Sequence, residues 1–170
     1  PHANGAVSSD PAAAEDALAV GHRRHRVHPS GVPVAGAHKA LAGGTNFGEV
    51  RLYHVDGPLV HKFEGHAGAL DALAVTPDGQ HIISGAWDNL VKVWSVATKS
   101  LVSTCEGHTR GICAAVFAVA AMPDGQRILS GGRDKTVRVW LLDGTLKNTF
   151  VLHTHKVYGL VALPDNQHAL

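Results

Sequence analysis

Residues 77–94 read PDGQHIISGAWDNLVKVW, and residues 123–140 read PDGQRILSGGRDKTVRVW. Both stretches run from a proline to a tryptophan 17 positions later. A Gly-His pair precedes each stretch, at residues 65–66 and 107–108, so the two pairs lie 42 residues apart. Self-similarity at a fixed period of this length indicates a repeat protein, in which each copy is one structural unit.

Two partial copies flank the full ones. The last begins at residues 152–153 and reaches the Pro-Asp pair at residues 164–165, and an earlier one ends near Tyr53. Because the last copy stops at Leu170, we expect the chain to be a piece of a longer repeat protein, with an arc of about three to four sheets.

Short apolar runs within the first full copy predict strands. They are expected at residues 70–75, 81–84, 90–96 and 101–105. Turn-forming Gly, Pro, Asp and Asn lie between these runs, and the Asp-Gly pairs at residues 78–79 and 124–125 predict tight hairpin turns. The alternation of apolar and charged residues at 91–94 and 137–140 predicts strands with one face partly exposed to water.

The order of these signals resembles that of WD-repeat β-propeller proteins. Gly-His, Pro-Asp-Gly, Ser-Gly-x-x-Asp and a terminal Trp recur from about Lys39 to Leu170, and one four-stranded blade has about this period. The resemblance implies an all-β fold, a β-propeller fragment of four-stranded antiparallel blades. The chain departs from the pattern, because neither Trp precedes an Asp, four extra residues follow the second Gly-His, Phe47 replaces an Asp and Leu152 replaces a Gly.

The resemblance divides the chain into five parts. The first is a low-complexity N-terminal segment at 1–37, for which a degenerate blade is the alternative. It is followed by a partial blade at 38–64 and by full repeats at 65–106 and 107–151, the second of which contains a short insertion. The last part, at 152–170, is the start of a further repeat. Residues 1–15 are rich in Ala, Ser, Pro and Gly, which predicts disorder. If residues 1–37 contain a degenerate blade instead, we expect residues 17–20 to form one of its strands.

Each full repeat also supplies a Ser, a His, an Asp and a Trp. The two sets are His66, Ser84, Asp88 and Trp94, and His108, Ser130, Asp134 and Trp140. Taken alone, Ser with His and Asp suggests the catalytic triad of a hydrolase. The resemblance implies instead a buried chain of hydrogen bonds from Trp to Ser to His to Asp, in which every polar group has a partner. Because the set occurs twice at one spacing, we expect structural tetrads, no catalytic residue and no enzyme activity.

The resemblance further implies a surface for partners at the narrow end of the propeller. Its positions are the residue before the turn Asp and the residues three and five after the Gly-His histidine. This partner face comprises Trp87, Arg133, Asp71, Lys156 and Tyr158, with Ala69 beside Asp71. The insertion leaves open the counterparts after His108, which are Gly111 and Cys113 by simple counting. Trp, Tyr and Arg most often dominate binding energy, although a packing role for Trp87 stays open as the alternative.

Composition limits the other classes of function. A net charge of +1 excludes a strongly basic wrapper of nucleic acid. The longest uncharged apolar run, residues 111–123, is shorter than the roughly 18 residues that a membrane-spanning helix needs. We therefore expect protein or peptide partners, with no membrane, no nucleic acid, no small-molecule substrate, no cofactor and no metal.

Two further features concern location and the N-terminal segment. Residues 22–28 read HRRHRVH, for which we expect a solvated loop, with phosphate or RNA contact and metal binding as alternatives. Cys105 and Cys113 are too few for a disulfide framework. They are expected to be small reduced core residues, which favours a reducing compartment and hence the cytoplasm, with the nucleus as the alternative.

These observations predict a non-catalytic scaffold that presents a rigid face to protein or peptide partners in a larger complex. Stacked blades are stiff, and loops at their ends carry variable side chains. The alternatives are the propeller portion of a larger enzyme or signalling protein, and a module that contacts RNA through the basic N-terminal segment. A propeller enzyme would need carboxylates or His lining the central channel, and the sequence offers no clear set.

Overall fold

A computed structural model describes residues 32–34, 40–54, 58–108, 115–151 and 153–170. These residues form three antiparallel sheets of four strands each, and none of them lies in a helix. The predicted all-β fold of four-stranded antiparallel blades is therefore confirmed. Within these ranges there is no helix long and apolar enough to span a membrane.

Each sheet uses four consecutive strands of the chain. The first contains β1 (Val32–Val34), β2 (Ala40–Gly44), β3 (Val50–His54) and β4 (Leu59–Phe63); the second contains β5 (Leu70–Val75), β6 (His81–Ala86), β7 (Val91–Ser95) and β8 (Ser100–Cys105); the third contains β9 (Val116–Ala121), β10 (Arg127–Gly132), β11 (Val137–Leu141) and β12 (Leu146–Phe150). The first strands of the sheets contact one another, so β1, β5 and β9 form the inner edge of the arc. The first sheet thus starts before residue 38, the residue at which the predicted partial blade begins.

Both predicted Asp-Gly turns are confirmed. Oδ1 of Asp78 accepts the backbone N–H of Gln80 across 2.9 Å, and Asp124 does the same for Gln126 across 2.8 Å. The glycine that follows each Asp has a φ near +70°, a conformation that costs Gly little. In the last copy Asn166 takes this place with a φ of 59°.

Two apolar clusters join the sheets. The first cluster combines Val50, Leu52 and Phe63 of the first sheet with Ile82 and Trp94 of the second. The second cluster lies between the second and third sheets and includes Ile83, Val91, Val93, Cys105, Val116, Val119, Ile128 and Trp140. Each of these two tryptophans therefore packs between its own sheet and the preceding one.

The prediction that the charged residues of β7 and β11 lie on a face partly exposed to water is wrong. Lys92 is only 7% exposed and Arg138 only 9%. Lys92 lies two residues from Trp94 and so on the same face of β7, which the first sheet covers. The buried head groups have partners, since Lys92 Nζ donates to Thr104 Oγ1 across 3.1 Å and Arg138 Nη2 lies 3.8 Å from Asp134.

The last copy continues onto the third sheet. The backbone N–H of Val157 donates to the carbonyl of Gly132 across 3.0 Å, and the side-chain amide of Asn166 donates to Asp124 across 3.0 Å. Several predictions concern parts of the chain outside the described residues. They are the disorder of residues 1–15, the strand at 17–20, the basic patch at 22–28, and the role of Cys113.

Candidate functional site

The first tetrad joins the turn, the strands and the Gly-His loop of the second sheet. The indole N–H of Trp94 donates to Ser84 Oγ across 2.8 Å, and that oxygen lies 2.8 Å from His66 Nε2. The other ring nitrogen of His66, Nδ1, lies 2.8 Å from Asp88 Oδ2. Because the serine oxygen already accepts from the indole, its hydroxyl donates to Nε2, and Nδ1–H donates to the carboxylate.

The third sheet repeats this arrangement. Trp140 donates its indole N–H to Ser130 Oγ across 2.7 Å, and that oxygen lies 2.7 Å from His108 Nε2. Nδ1 of His108 lies 2.9 Å from Asp134 Oδ2. Ser130 is 0% exposed. A substrate therefore cannot reach the hydroxyl without opening the sheet.

Opposing effects set the pKa of Asp88. Burial raises this pKa, but hydrogen bonds from the His66 ring and from the backbone N–H groups of Ala67 and Leu90 outweigh burial and hold the pKa below its ordinary value. Asp88 is therefore a carboxylate at neutral pH, and it orients the ring toward Ser84. Ser84 uses both its donor and its acceptor within the tetrad, so its hydroxyl is not free to act as a nucleophile.

We expect His108→Ala and Asp134→Ala each to lower the free energy of unfolding by about 1–3 kcal/mol, because the buried groups left behind lose hydrogen bonds. His153→Ala is the matched control, since His153 has the same place in the last copy but is exposed. The control should change the free energy by less than about 0.5 kcal/mol. Urea denaturation followed by circular dichroism measures all three, and an unchanged midpoint for His108→Ala would contradict the expectation.

Trp87 and Arg133 of the partner face occupy equivalent places in neighbouring sheets. The backbone N–H of Trp87 donates to the carbonyl of Ala69 across 3.0 Å, and that of Arg133 donates to Ala115 across 2.9 Å. Each acceptor immediately precedes the first strand of its sheet. The two side chains thus start from the same end of the blades. Trp87 is 47% exposed, whereas Arg133 is partly buried.

Asp71 differs from its expected role as a separate opposite charge on the partner face. Its Oδ2 accepts the indole N–H of Trp87 across 2.6 Å. The bond holds the indole ring in one orientation and uses its only polar group. Trp87 therefore offers the apolar surface of its ring to a partner, and Asp71 acts mainly through that ring.

Lys156 and Tyr158 lie at the inner edge beside the third sheet. Both are partly buried, whereas the sequence led us to expect exposed side chains. The burial of Tyr158 has a clear cause, because its ring stacks on Phe117 with centroids 5.1 Å apart and planes 27° apart. Of the four residues expected to be exposed, only Trp87 is.

Phe117 is the residue of this end that the sequence analysis missed. Counting forward from His108 gives Cys113, but this copy has four extra residues between its Gly-His pair and β9. Counting back six positions from the proline of each Pro-Asp pair gives Asp71, Phe117 and Tyr158. Because the extra residues of the second copy lie before this position, the proline is the better reference for the count.

Other candidate chemistry is absent from the part of the chain that the structure describes. In those ranges no three His, Cys, Asp or Glu side chains come together as metal ligands would. Cys105 is 0% exposed, and burial, assisted by the charge of Asp143, raises the pKa of its thiol to about 12. That thiol is therefore an unreactive core group at neutral pH.

Three sheets of four antiparallel strands around an inner edge define a β-propeller architecture. The family model described as "WD domain, G-beta repeat" matches residues 57–95 and 99–140. Each match begins with the outermost strand of one sheet and ends with three strands of the next. The crystal structure of the RRP9 WD40 repeats has the same fold, with a TM-score of 0.67 and 22% identity over 72% of this chain and 38% of that one. Residues 57–95 and 99–140 are therefore WD repeats, and the described sheets have the architecture of a partial WD-repeat β-propeller.

Curated relatives match short segments. Periodic tryptophan protein 2 homolog of Neurospora crassa is 32% identical over 78 residues, which is 45% of this chain and 8% of that protein. Ribosome biogenesis protein WDR12 homolog of Drosophila persimilis is 47% identical over 32 residues, which is 19% of this chain and 8% of that protein. The matched segments thus span less than a tenth of either relative.

Proposed function

We propose that this protein is a non-catalytic interaction scaffold, which presents the partner face to a protein or peptide. The exposed indole of Trp87 carries the proposal. A large aromatic ring on a surface turn is the type of residue that most often dominates binding energy. Because the bond to Asp71 already fixes the ring, a partner that contacts Trp87 would lose little free energy to ordering it.

The sheets behind the partner face support this role. Trp94 and Trp140 join neighbouring sheets through apolar clusters, so the turns that carry Trp87 and Arg133 extend from a packed platform. The tetrads serve this platform, because each ties a turn Asp to the strand that bears the buried Ser. Variable side chains on rigid supports are the usual arrangement of a binding surface.

The enzyme alternative is less well supported. Its best candidates, Ser84 and Ser130, have no exposed surface, and both hydroxyls are engaged by Trp and His. A hydrolase would need the hydroxyl free to attack and an oxyanion hole beside it. Incubating the full chain with ester and peptide substrates tests this point, and turnover lost in Ser130→Ala would overturn the scaffold proposal.

We expect Trp87→Ala to weaken partner binding by about 1–3 kcal/mol with little change in the melting temperature, because the side chain is 47% exposed. The partner is obtained by a pull-down with the full chain and is then titrated by calorimetry. Leu101→Ala is the matched control, since Leu101 is 46% exposed but lies on the outer strand β8. Equal losses in the two variants would contradict a role for Trp87.

A nuclear location fits this proposal better than the cytoplasmic one that the cysteines favoured. The relative named for ribosome biogenesis supports it, and the matches to known proteins give no support to the cytoplasm. Imaging the tagged full chain in cells tests the location directly, and an exclusively cytoplasmic signal would exclude the nucleus.

A further inference from the structure

The described residues include four arginines, and Arg133 differs from the other three. Arg51 lies 2.6 Å from Glu49, Arg127 lies 2.7 Å from Asp124, and Arg138 lies 3.8 Å from Asp134. Arg133 forms no ion pair with a carboxylate of the described residues. Its planar guanidinium is suited to bind a carboxylate through two parallel hydrogen bonds. That capacity is unused within the described chain.

A second cation lies beside Arg133. The hydrogen bond from the Val157 N–H to the Gly132 carbonyl, 3.0 Å long, places Lys156 next to Arg133 along the backbone. Lys156 likewise has no ion-pair partner among the described residues. Two cationic residues are thus brought together on one edge of the third sheet, where a bound anion would interact favourably with both.

Aromatic residues lie close to these cations along the backbone. Phe117 follows Ala115, the hydrogen-bond partner of the Arg133 N–H, by two residues, Tyr158 follows Lys156 by two residues, and the two rings stack. Trp87 lies at the equivalent turn one sheet away, and its N–H is bound to Asp71. The surface therefore combines a charged pair with apolar rings.

We infer that Arg133 and Lys156 bind an Asp or Glu side chain of the partner, in an acidic peptide segment whose apolar neighbours contact Trp87 and the Phe117–Tyr158 pair. This inference rests on the proposed scaffold function and specifies its partner. In such an interface the complementary charges set the specificity, and the contacts with the aromatic rings supply most of the affinity.

Single-stranded RNA fits this surface less well. Bases stack on aromatic rings, but each stacked base brings a phosphate with it. The carboxylate of Asp71 lies against Trp87 and would repel a phosphate there. A net charge of +1 also provides no extended basic track for the backbone.

The test begins by selecting binders from a displayed library of random peptides with the immobilised full chain. The selected sequences are synthesised and titrated by fluorescence anisotropy against the wild type, Trp87→Ala, Arg133→Glu and Lys147→Glu. Lys147 is an exposed lysine on β12, so its variant carries the same charge change away from the partner face. A uridine oligonucleotide is titrated in parallel.

We expect the selected peptides to be enriched in Asp and Glu beside an apolar residue. Arg133→Glu should weaken their binding about tenfold or more, and Lys147→Glu should leave it unchanged. Replacing the acidic residues of the peptide by their amides should cause a similar loss, and a peptide with Lys in that place should bind Arg133→Glu better than the wild type.

Opposite results separate the two proposals. Peptides without acidic enrichment, weakened by Trp87→Ala but not by Arg133→Glu, overturn the acidic partner and leave the scaffold intact. If neither substitution changes the affinity of the selected peptides, or if no peptide binds, the scaffold proposal is overturned as well. Tighter binding of the oligonucleotide than of any peptide overturns the inference in favour of RNA.

Discussion

Trp140→Ala is expected to lower the free energy of unfolding by about 3–5 kcal/mol, because it removes the largest buried side chain of the third sheet. Trp140 is 0% exposed and belongs to the apolar cluster that includes Val91 of the second sheet and Val116 of the third. The substitution therefore leaves a cavity at the contact between sheets and also removes the donor to Ser130. Urea denaturation followed by far-ultraviolet circular dichroism measures the loss.

Two comparisons separate packing from hydrogen bonding. Trp140→Phe keeps an aromatic ring but removes the N–H, and we expect a smaller loss of about 1–3 kcal/mol. Trp87→Ala removes an indole of the same size from an exposed position, so stability should change by less than about 0.5 kcal/mol. If Trp140→Ala and Trp87→Ala unfold at the same urea concentration, Trp140 does not join the two sheets as described.

Local signals explain why the sequence predicts much of the fold. The strand predicted at residues 70–75 coincides with β5, and the other three of that sheet agree with the structure to within two residues at each end. Pro-Asp-Gly specifies a turn through the Asp side chain and the φ of the glycine, both of which depend on neighbouring residues alone. The strand Val32–Val34 has no such marker and was assigned to the low-complexity segment.

Contacts between distant residues explain most of what the sequence does not predict. The alternating pattern of β7 predicts that Lys92 is exposed to water, yet the first sheet covers that face of the strand. Asp71 reads as a free charge, but its position beside Trp87 depends on how the turn between β6 and β7 returns to β5. Phe117 was missed because an insertion shifted the count from His108. The first two errors concern contacts between residues far apart in sequence, whereas the third comes from a local insertion.

The same dependence on neighbouring sheets applies to the glycines at 44, 85 and 131, which recur at one place in each copy. A Cβ built on any of them would meet side chains of the next unit along the chain. From Gly85 it would lie 2.6 Å from Val116 Cγ1, and from Gly131 it would lie 2.5 Å from Val157 Cγ1. These glycines leave the space into which the next sheet packs.

Gly85→Val should therefore lower the free energy of unfolding by about 3 kcal/mol, because Val116 is fully buried, stiff at χ1 and unable to move aside. Gly159→Val is the matched control, since a Cβ at Gly159 meets nothing within 4 Å. Adding Val116→Ala to Gly85→Val removes the opposing methyl groups, so the double variant should lose less stability than the sum of the two single losses. Urea denaturation of the four proteins measures this coupling. Strict additivity, or equal stability of Gly85→Val and Gly159→Val, would show that the sheets do not contact each other through this glycine.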